Sequence, residues 1–594
     1  MVNKTDGYLK GGSFLIDDIP FDRVFTLEDC TEEHKLIEKT AENFVINEVV
    51  PHIDRLEHHE FDLSVKLLKQ AGELGLLAAD IPEEYGGLGL DKVSSALIGE
   101  KFSRAGGFSI SFGAHVGIGT LPIVLFGNED HKRKYLPELA SGEKIAAYAL
   151  TEPSSGSDAL GAKTTARLND EGTHYILNGE KQWITNSAFA DVFIVYAKVD
   201  GEHFTAFIVE RGFPGVSTGP EEKKMGIKSS STRTLILDHV PVPKENVLGE
   251  IGKGHKIAFN ILNIGRYKLA VGAIGACKRI IELSAKYAIE RKQFGQPIAS
   301  FPLIQEKLAN MAQKLYAMES SVYRTVGLFD DRMRYLTSEE KKDGNAMAAS
   351  IAEYAIECSL NKVFGSETLD YIADEGVQIH GGYGYMAEYE VERAYRDSRI
   401  NRIFEGTNEI NRLLVPGMYL KKAMKGELPL FQKAQTLKEE LMMMTPEEAG
   451  AAPLEQEKYL LRQAKKITLL MAGIAAQKFG ESLQREQEIL ANIADAVINV
   501  YAMESAVLRT EKAISKTGAE KNKQKLLYTQ VFAQQAIQQL ETAAKETIAA
   551  VEEGDSLRIM LSALKKLSRY VPINAIQKKR QIAAKIFEEG KYIV

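Results

Sequence analysis

The stretch HYILNGEKQWITNSAFADVFIVYAKV, residues 174–199, decides the fold, because helical spacing of apolar residues stops here. Its apolar residues form short runs rich in Ile, Val, Tyr and Phe, which is typical of strands. Asn178-Gly179 separates HYIL from EKQWIT, and Asp200-Gly201 separates DVFIVYAKV from HFTAFIVE. Both dipeptides are strong hairpin signals, since they tolerate the positive φ angles of tight turns. The sequence therefore predicts a compact antiparallel β domain over residues 146–252.

Helical spacing of apolar residues flanks this domain on both sides. LSVKLLKQAGELGLLAA, residues 63–79, shows it before the domain, and the stretch from Gly265 to Gly295 shows it afterwards. Residues 445–453, TPEEAGAAP, read as a linker. We expect a mainly α protein with an inserted β domain: a helical domain over 1–145, the β domain over 146–252, a helical bundle over 253–430 and a helical extension over 431–594.

One internal repeat links the extension to the bundle. LANMAQKLYAMESSVYRT, residues 308–325, and IADAVINVYAMESAVLRT, residues 493–510, agree at nine of eighteen positions, five of them consecutive. Such a match between two helical segments indicates that the extension copies part of the preceding bundle. We therefore expect a second helical bundle at the C-terminal end. The residues proposed below for chemistry have no counterpart in this copy, so we expect a structural or interactive role for it.

Composition and charge exclude several classes of protein. The three cysteines of the 594 residues are far apart, which argues against a disulfide framework or a zinc site. Residues 1–430 carry 50 Lys and Arg against 61 Asp and Glu, and this acidic body argues against nucleic acid as a partner. The N-terminal sequence MVNKTDGYLKGGSFLIDD lacks the continuous apolar run of a signal peptide, and no stretch reads as a membrane span. We therefore expect a cytoplasmic location.

The C-terminal segment has the opposite charge. Residues 431–594 carry 24 Lys and Arg against 20 Asp and Glu, and nine of those cations lie within residues 556–594. This basic segment could meet an anionic membrane surface, or it could be an ordinary solvated helix face. Peripheral membrane contact is therefore one of two interpretations of the segment.

A candidate general base lies in RIFEGTNEINRLL, residues 402–414. Thr407 or Asn408 can cap a helix, so Glu405 falls in the turn that precedes it. A carboxylate beside apolar Phe404 has its pKa raised by desolvation, which suits proton abstraction, and Gly406 lets a ligand approach the backbone. The alternative is an ordinary exposed glutamate in a turn.

Four other segments could hold a ligand. YALTEPSSGSDALG, residues 148–161, offers hydroxyl and backbone donors, and NGEKQWITNS, residues 178–187, carries the single tryptophan, Trp183. ERKQFG, residues 290–295, offers Arg291 for a phosphate, and the glycines of VQIHGGYGYMAEY, residues 377–389, allow close approach. Each has a plain alternative: a Ser/Gly turn, a core tryptophan, a surface ion pair or a loop. The sequence has neither a Rossmann fingerprint nor a P-loop.

The order and spacing of five segments carry more weight than any one of them. LTEPSSGSDA, KQWITNS, ERKQFGQPI, QIHGGYGY and RDSRINRIFEGTNEI together resemble the acyl-CoA dehydrogenase family over about residues 30–420. The chain length and the helical extension resemble the very-long-chain branch. The resemblance implies an N-terminal helical domain, a middle antiparallel β-barrel and a four-helix bundle, to which this chain adds an extra helical bundle. It also implies non-covalent FAD and the oxidation of a long-chain acyl-CoA to a trans-2-enoyl-CoA in fatty-acid β-oxidation.

The same resemblance implies roles for individual residues. Glu405 is expected to remove the α-proton while the β-hydrogen leaves as hydride to flavin N5. The residues expected to contact acyl-CoA are Ser157, Asn263, Arg266, Phe404 and Gly406, and Asn263 departs from the aspartate common in medium-chain members. The residues expected to contact FAD are Tyr148, Leu150, Thr151, Gly156, Ser157, Trp183, Ile184, Thr185, Thr407, Asn408 and Glu409, with Arg291, Phe294, Gln378, Gly381 and Gly382 reaching it across a subunit boundary.

Further expectations concern substrate length and partners. Some branches of the family place the base at the position of Gly265, which cannot act, so Glu405 has no rival. Small Gly113 and Ala114 stand where medium-chain members have bulky polar residues, which favours long acyl chains. The resemblance also implies a homodimer, an electron-transfer flavoprotein as acceptor, and membrane association through the extension. The alternatives are an acyl-CoA oxidase and a non-catalytic binding or assembly protein on the same fold.

Overall fold

The computed structural model describes residues 7–443, 450 and 452–594. Most of the predicted linker, residues 445–453, lies outside the described residues. The first region is helical, with a π-helical segment after α5 over Ala114–Gly119. Its helices are α1 (Glu32–Phe44), α2 (Ile53–Glu57), α3 (Phe61–Glu73), α4 (Lys92–Phe102), α5 (Phe108–Gly113), α6 (Leu121–Phe126) and α7 (Glu129–Ser141).

One mixed eight-stranded sheet follows these helices. Its strand order is β6-β7-β3-β2-β4-β5-β8, and β1 pairs with β4 beside this path. The strands are β1 (Ala146–Ala149), β2 (Thr165–Leu168), β3 (His174–Thr185), β4 (Val192–Val199), β5 (His203–Glu210), β6 (Val216–Thr218), β7 (Thr232–Pro243) and β8 (Val247–Leu248).

The prediction of an antiparallel β-barrel is wrong in two respects. β1 and β2 both pair with β4 in parallel, so the sheet is mixed. β6 and β8 end the strand order without pairing to each other in the described part of the chain, so the sheet is not a closed barrel. Hairpin signals report only on antiparallel neighbours, and β1 reaches β4 across a long connection that such signals do not report.

The two turn dipeptides behave differently. Asp200-Gly201 forms the predicted hairpin turn, with φ of 52° and 79°, between the antiparallel strands β4 and β5. Asn178-Gly179 is not a turn but a bulge inside β3, which continues as one strand to Thr185. A Cβ on Gly179 would lie 2.5 Å from the Thr164 hydroxyl oxygen, so this glycine is required by close packing, not by a chain reversal.

A bundle of long helices follows the sheet. α8 is 37 residues long, which is roughly 55 Å, and it packs against α9 and α11. The next elements are α8 (Gly254–Glu290), the short hairpin β9 (Lys292–Gln293) and β10 (Gln296–Pro297), α9 (Pro302–Arg334), α10 (Gly344–Ala352), α11 (Ala355–His380), α12 (Glu390–Ser398), α13 (Asn408–Met424) and α14 (Leu430–Met443).

The C-terminal region is helical, as predicted, and its repeat faces the original. α9 and α16 each carry one copy of the repeat and pack against each other. Tyr316 Oη meets Thr510 Oγ1 at 2.8 Å, and Tyr501 Oη meets Thr325 Oγ1 at 2.7 Å, which is the same contact with the two copies exchanged. The helices are α15 (Glu455–Phe479), α16 (Gln487–Thr517), α17 (Lys523–Val551), α18 (Gly554–Leu567) and α19 (Ala575–Glu589).

Buried ion pairs follow the same exchange rule. The Arg324 guanidinium binds Glu504 at 2.8 Å, and Arg509 binds Glu319 at 2.6 Å. All four side chains are almost completely buried. The two copies of the repeat therefore contact each other symmetrically, as two identical subunits do in an isologous interface, but both copies belong to one chain.

Within the described residues, one helical stretch is long and apolar enough to cross a membrane, contrary to the expectation that no stretch reads as a membrane span. Residues 108–126 have a mean hydropathy of 1.6, and 72% of this window is buried inside the protein. The stretch packs between α4, α8 and the sheet, where a core helix is expected to be apolar.

Candidate active site

A long cavity of about 250 Å³ runs between the helical regions and one end of the sheet. α4, α5 with its π-helical continuation, α8, α12 and the segment from Ser398 to Glu405 line it. Glu405 and Gly265 mark one end of this cavity. At the other end Arg279 Nη2 binds Glu390 Oε2 at 2.7 Å. Gly265 and Arg279 are fourteen residues apart on α8, which is roughly 21 Å.

Glu405 lies in a strained turn before α13. Its φ is 59°, in the left-handed region that a side chain seldom adopts, and Gly406 follows with a φ of 80°. Thr407 caps α13 by accepting the backbone N–H of Ile410, as the sequence predicts. The turn therefore aims the Glu405 side chain into the cavity instead of along the helix.

The Glu405 carboxylate is poorly solvated. Its Oε2 is buried and has no hydrogen-bond partner among the described residues. Burial raises the pKa of Glu405 to about 7, although the charges of Arg266 and Lys362 act against this rise. A carboxyl group with such a pKa can accept a proton near neutral pH.

Gly265 makes room for this carboxylate. A Cβ at position 265 would lie 2.2 Å from Glu405 Oε2, so any side chain there would displace the carboxylate. One turn further along α8, Lys268 and Leu269 continue the cavity wall. The absence of a side chain at Gly265 is thus a requirement of the Glu405 position.

Three predicted substrate-contacting residues lie beside Glu405. Arg266 is buried, and its Nε donates to the Glu405 carbonyl oxygen at 3.4 Å, while its Nη1 donates to Asn263 Oδ1 at 3.0 Å. Phe404 lines the cavity. Asn263 therefore orients the Arg266 guanidinium, which in turn contacts the backbone of Glu405.

Two residues that the sequence analysis missed hold the same turn. Lys362 Nζ donates to the Gly406 carbonyl oxygen at 2.7 Å and to Asn408 Oδ1 at 2.8 Å. Asn411 Nδ2 donates to the Gly406 oxygen at 2.9 Å. Lys362 lies on the buried face of α11, in SLNKVFG, and a lysine within such an apolar stretch is the signal that could have found it.

The two sheet segments predicted to bind a cofactor lie side by side. The Gln182 backbone N–H donates to the Thr151 carbonyl oxygen at 2.8 Å, which joins the bulge of β3 to the loop after β1. Glu152 is buried under that loop, where Lys181 Nζ binds its Oε1 at 2.7 Å. Leu150 and Ile184 are buried, whereas Gly156 and Ser157 are exposed at the rim.

Trp183 is exposed and does not pack in the core. Its side chain is 62% exposed, and its φ of 58° places it at the bulge between Lys181 and Ile184. The next but one residue, Thr185, lines the cavity. Tyr148 lies on β1, and burial, with Tyr196 and Glu405 adding to it, raises the pKa of its phenol. A planar group could therefore lie between Trp183 and the cavity.

The first two residues of α13, Asn408 and Glu409, differ in burial. Asn408 is buried against Lys362 and Ser366, so its side chain holds the turn. Glu409 is exposed. Hydrogen bonding to the backbone is the main cause that lowers the pKa of Glu409.

One predicted group of cofactor residues lies far from the others. Arg291 follows the last residue of α8 and is 26 residues from Gly265, roughly 39 Å along the helix. Phe294 is 93% exposed at the tip of the β9–β10 hairpin, and Arg291 lies 5.5 Å over the Tyr383 ring. Gln378, Gly381 and Gly382 are exposed beside them. One chain therefore does not bring this group to Glu405.

Comparison with known proteins gives matches along the whole chain. Family models described as the N-terminal, middle and C-terminal domains of acyl-CoA dehydrogenase match residues 31–143, 147–240 and 252–416. A further model described as an acyl-CoA dehydrogenase C-terminal domain matches residues 463–566.

Individual relatives agree with these models. A probable acyl-CoA dehydrogenase of Bacillus subtilis (strain 168) is 73% identical over 594 residues and 100% of both chains. The mitochondrial very long-chain specific acyl-CoA dehydrogenase of Homo sapiens is 37% identical over 88% of this chain and 80% of its own. The crystal structure of an acyl-CoA dehydrogenase complexed with FAD from Bacillus anthracis is 74% identical, with a TM-score of 0.98 over 99% of this chain and 100% of its own.

The resemblance drawn from the five sequence segments is thus confirmed, and the chain belongs to the acyl-CoA dehydrogenase family.

Proposed function

We propose that this protein oxidises long-chain acyl-CoA thioesters to trans-2-enoyl-CoA in fatty-acid β-oxidation. The observation that carries the proposal is the buried, unpartnered Glu405 Oε2 at the head of a cavity walled by apolar and small residues. A carboxylate kept from water is a stronger base toward a weakly acidic C–H bond than a solvated one.

The residues present fit FAD. The surface near the bulge of β3 is open to a ligand. It carries the exposed Trp183 in a left-handed conformation and Gly156, which has no atoms near its Cβ position, and the buried Glu152–Lys181 pair supports the loop. Bound FAD would supply the acceptor for the β-hydrogen, which leaves the substrate as hydride. Trp183 and Thr185 would contact its ring, and the residues from Leu150 to Ser157 would hold it at the rim.

Glu405 acts on the substrate in this scheme. Its Oε2 takes the α-proton as the α-carbon–hydrogen bond breaks, and the electron pair of that bond becomes the new double bond. The backbone N–H of Glu405 donates to the thioester oxygen and stabilises the charge that develops there. Arg266 and Lys362 fix the turn, so the carboxylate and the backbone N–H of Glu405 do not have to move during the reaction.

The length of the cavity supports long acyl chains. Roughly 21 Å separate Gly265 and Arg279 along α8. One leaflet of a bilayer is about 15 Å deep, half of a hydrocarbon core of about 30 Å, so this distance is long enough for the acyl chain of a membrane lipid. A Cβ at Gly113 or Gly272 would meet no atom within 4 Å, so these glycines leave the cavity open.

The remote cofactor group supports the proposal of a homodimer. Arg291 lies roughly 39 Å along α8 from Gly265, which argues against one FAD contacting both Arg291 and the Glu405 turn of the same chain. We propose that Arg291, Phe294, Gln378, Gly381 and Gly382 contact the FAD of a second copy. The exposure of Phe294, an apolar side chain at a loop tip, supports this contact.

The remaining partners are an electron-transfer flavoprotein as acceptor, which the family resemblance suggests, and a membrane surface. Ile559, Val571 and Ile576 are exposed on α18, on the loop after it and on α19, and the same segment carries the exposed cations Lys565 and Lys566. We propose a cytoplasmic protein that meets anionic lipid through this patch. Sedimentation with anionic vesicles at low salt tests it, and failure to bind overturns this contact alone.

The experiment that tests the activity is an anaerobic titration of the holoprotein with palmitoyl-CoA, followed by flavin absorbance. We expect the oxidised band to bleach. Glu405→Gln should retain FAD and bind the thioester but leave the flavin oxidised, since the amide cannot take the α-proton. Bleaching in this variant would contradict the role of Glu405, and an unbleached wild type would point to a non-catalytic protein. Rapid reoxidation by air with product bound would indicate an oxidase.

A further inference from the structure

The cavity lining includes charged side chains remote from Glu405. Five charged side chains lie at the end remote from Glu405, and we call them the distal ring: Arg104, Arg279, Glu282, Glu390 and Arg393. Of these, Arg104, Arg279, Glu390 and Arg393 line the cavity directly.

The pairing within the distal ring is uneven. Arg279 is fully engaged, with Nη2 at 2.7 Å from Glu390 Oε2 and Nη1 at 3.1 Å from Glu282 Oε2. Arg104 reaches Glu282 only at 3.8 Å, and Arg393 reaches Glu390 only at 3.9 Å. Neither Arg104 nor Arg393 makes a hydrogen bond within the described residues. Glu390 is bound by Arg279, and Glu282 is bound by both Arg279 and Lys286, whereas Arg104 and Arg393 keep donors that no hydrogen bond within the described residues uses.

These free donors are only partly hydrated. The Arg104 side chain is 30% exposed and that of Arg393 is 16% exposed. A guanidinium group presents a planar fork of N–H donors that matches a carboxylate. An apolar methyl end would gain nothing from these donors, whereas a terminal carboxylate would supply the acceptors that they lack.

One further anion faces the same end. Asp397 lines the cavity beside Arg393, accepts the backbone N–H of Ile227, and keeps a buried Oδ2 without a partner in the described part of the chain. It opposes the binding of a second anion, so its effect has the opposite sign to that of the two arginines.

We propose that the distal ring binds the terminal carboxylate of ω-carboxyacyl-CoA thioesters, so that long dicarboxylic chains are substrates of this protein. The inference rests on the proposed function, since it requires the thioester at Glu405 and the far end of the chain at the ring. Chain length then decides acceptance. A short dicarboxylic chain would strand its carboxylate among Ile110, Gly272 and Ala276, at the cost of burying an unpaired charge.

The test compares two substrate series of equal length, from octanoyl-CoA to octadecanoyl-CoA and from the octanedioyl to the octadecanedioyl mono-CoA thioester. We expect the ratio of kcat/KM, dioyl over monoacyl, to rise at least about tenfold as the chain becomes long enough to reach the ring. Arg104→Leu and Arg393→Leu should each remove most of that rise and leave palmitoyl-CoA oxidation unchanged. Arg334→Leu is the matched control, because Arg334 also has a single weak partner, at 4.0 Å, but lies outside the cavity.

A binding measurement separates this inference from the activity. Calorimetric titration of the Glu405→Gln holoprotein with the hexadecanoyl and hexadecanedioyl thioesters should show tighter binding of the latter in the presence of both arginines. Asp397→Asn should strengthen it further. The proposal is overturned if the kcat/KM ratio, dioyl over monoacyl, does not change with chain length. It is also overturned if that ratio rises equally in the Arg104→Leu and Arg393→Leu variants. Loss of palmitoyl-CoA oxidation in the wild type would instead overturn the proposed function.

Discussion

At the scale of single residues, two opposed influences set the basicity of Glu405. Burial raises its pKa to about 7, while the cationic Arg266 and Lys362 hold that rise in check. Lys362 contributes twice, since its Nζ also fixes the Gly406 carbonyl oxygen of the same turn. The pKa of Glu405 therefore depends on a lysine that does not line the cavity.

The protonation of Glu405 predicts the pH dependence of flavin reduction. Only the carboxylate can take the α-proton, so the rate should rise with pH through about 7. Lys362→Met removes a nearby cation, which should raise the pKa of Glu405 further and move this rise about one pH unit toward alkaline pH. Single-turnover stopped-flow absorbance over a pH series measures it.

Lys362→Arg serves as the control, because it keeps the charge while changing the hydrogen bonds to Gly406 and Asn408. We expect its pH profile to stay near that of the wild type even if its maximal rate falls. If Lys362→Met lowers the rate equally at every pH, Lys362 holds the turn without tuning the base.

At the scale of elements, α8 contributes residues to the cavity both beside Glu405 and at the distal ring. Its first third carries Asn263, Gly265 and Arg266 beside Glu405, and Arg279 lies fourteen residues further along at the distal ring. Opposite it, the cavity wall is built by α5 and its π-helical continuation, where small residues are common. We therefore expect the acyl chain of the substrate to lie along α8.

The open wall at α5 predicts a change in chain-length preference. Gly113→Leu would place a side chain in space that is empty of protein atoms within 4 Å of the Cβ, so folding should be preserved. The added volume should lower kcat/KM for palmitoyl-CoA by about tenfold or more, since a long chain must pass it, and should leave octanoyl-CoA oxidation nearly unchanged. Steady-state kinetics with both substrates measures this, and an equal loss for both would indicate that the chain takes another path.

Sequence patterns predicted the elements better than their pairing. The helical spacing around the sheet, the hairpin at Asp200 and the cap at Thr407 were accessible because each is a local property of a few residues. The parallel pairing of β1 with β4 depends on contacts distant in sequence. Asn178-Gly179 resembles a turn dipeptide, but the glycine is needed there because Thr164 packs closely against it. Glu405 was found by its motif, whereas Lys362 acts from another helix and has no motif of its own.

At the scale of the whole molecule, the extension is joined to the bundle by buried charge. Arg324 and Arg509 each cross from one copy of the repeat to the other, and both guanidinium groups also lie over tyrosine rings, Tyr501 at 4.6 Å and Tyr316 at 4.8 Å. A buried charge that loses its partner is costly, so these pairs fix the register of the two bundles.

Breaking one pair should destabilise the protein strongly. Arg324→Met leaves the buried Glu504 with one cation fewer, which we expect to cost about 3 kcal/mol and to lower the thermal unfolding midpoint. Arg558→Met is the control, because the Arg558–Asp555 pair is almost fully exposed and should contribute nearly nothing. Calorimetric unfolding of both variants measures the difference. Equal midpoints for the two variants would show that the repeat interface does not depend on its ion pairs.

The exchanged contacts between the two repeats have a consequence for how this interface can change. In a true dimer of identical subunits, dilution separates the halves and each substitution occurs on both sides of the axis. Here a covalent tether keeps the halves at high effective concentration, so dilution cannot part them. Each substitution also occurs only once, which leaves the copies free to diverge. They have done so: Glu319 has taken Lys278 of α8 as a second partner, whereas Glu504 has taken Lys465 of α15.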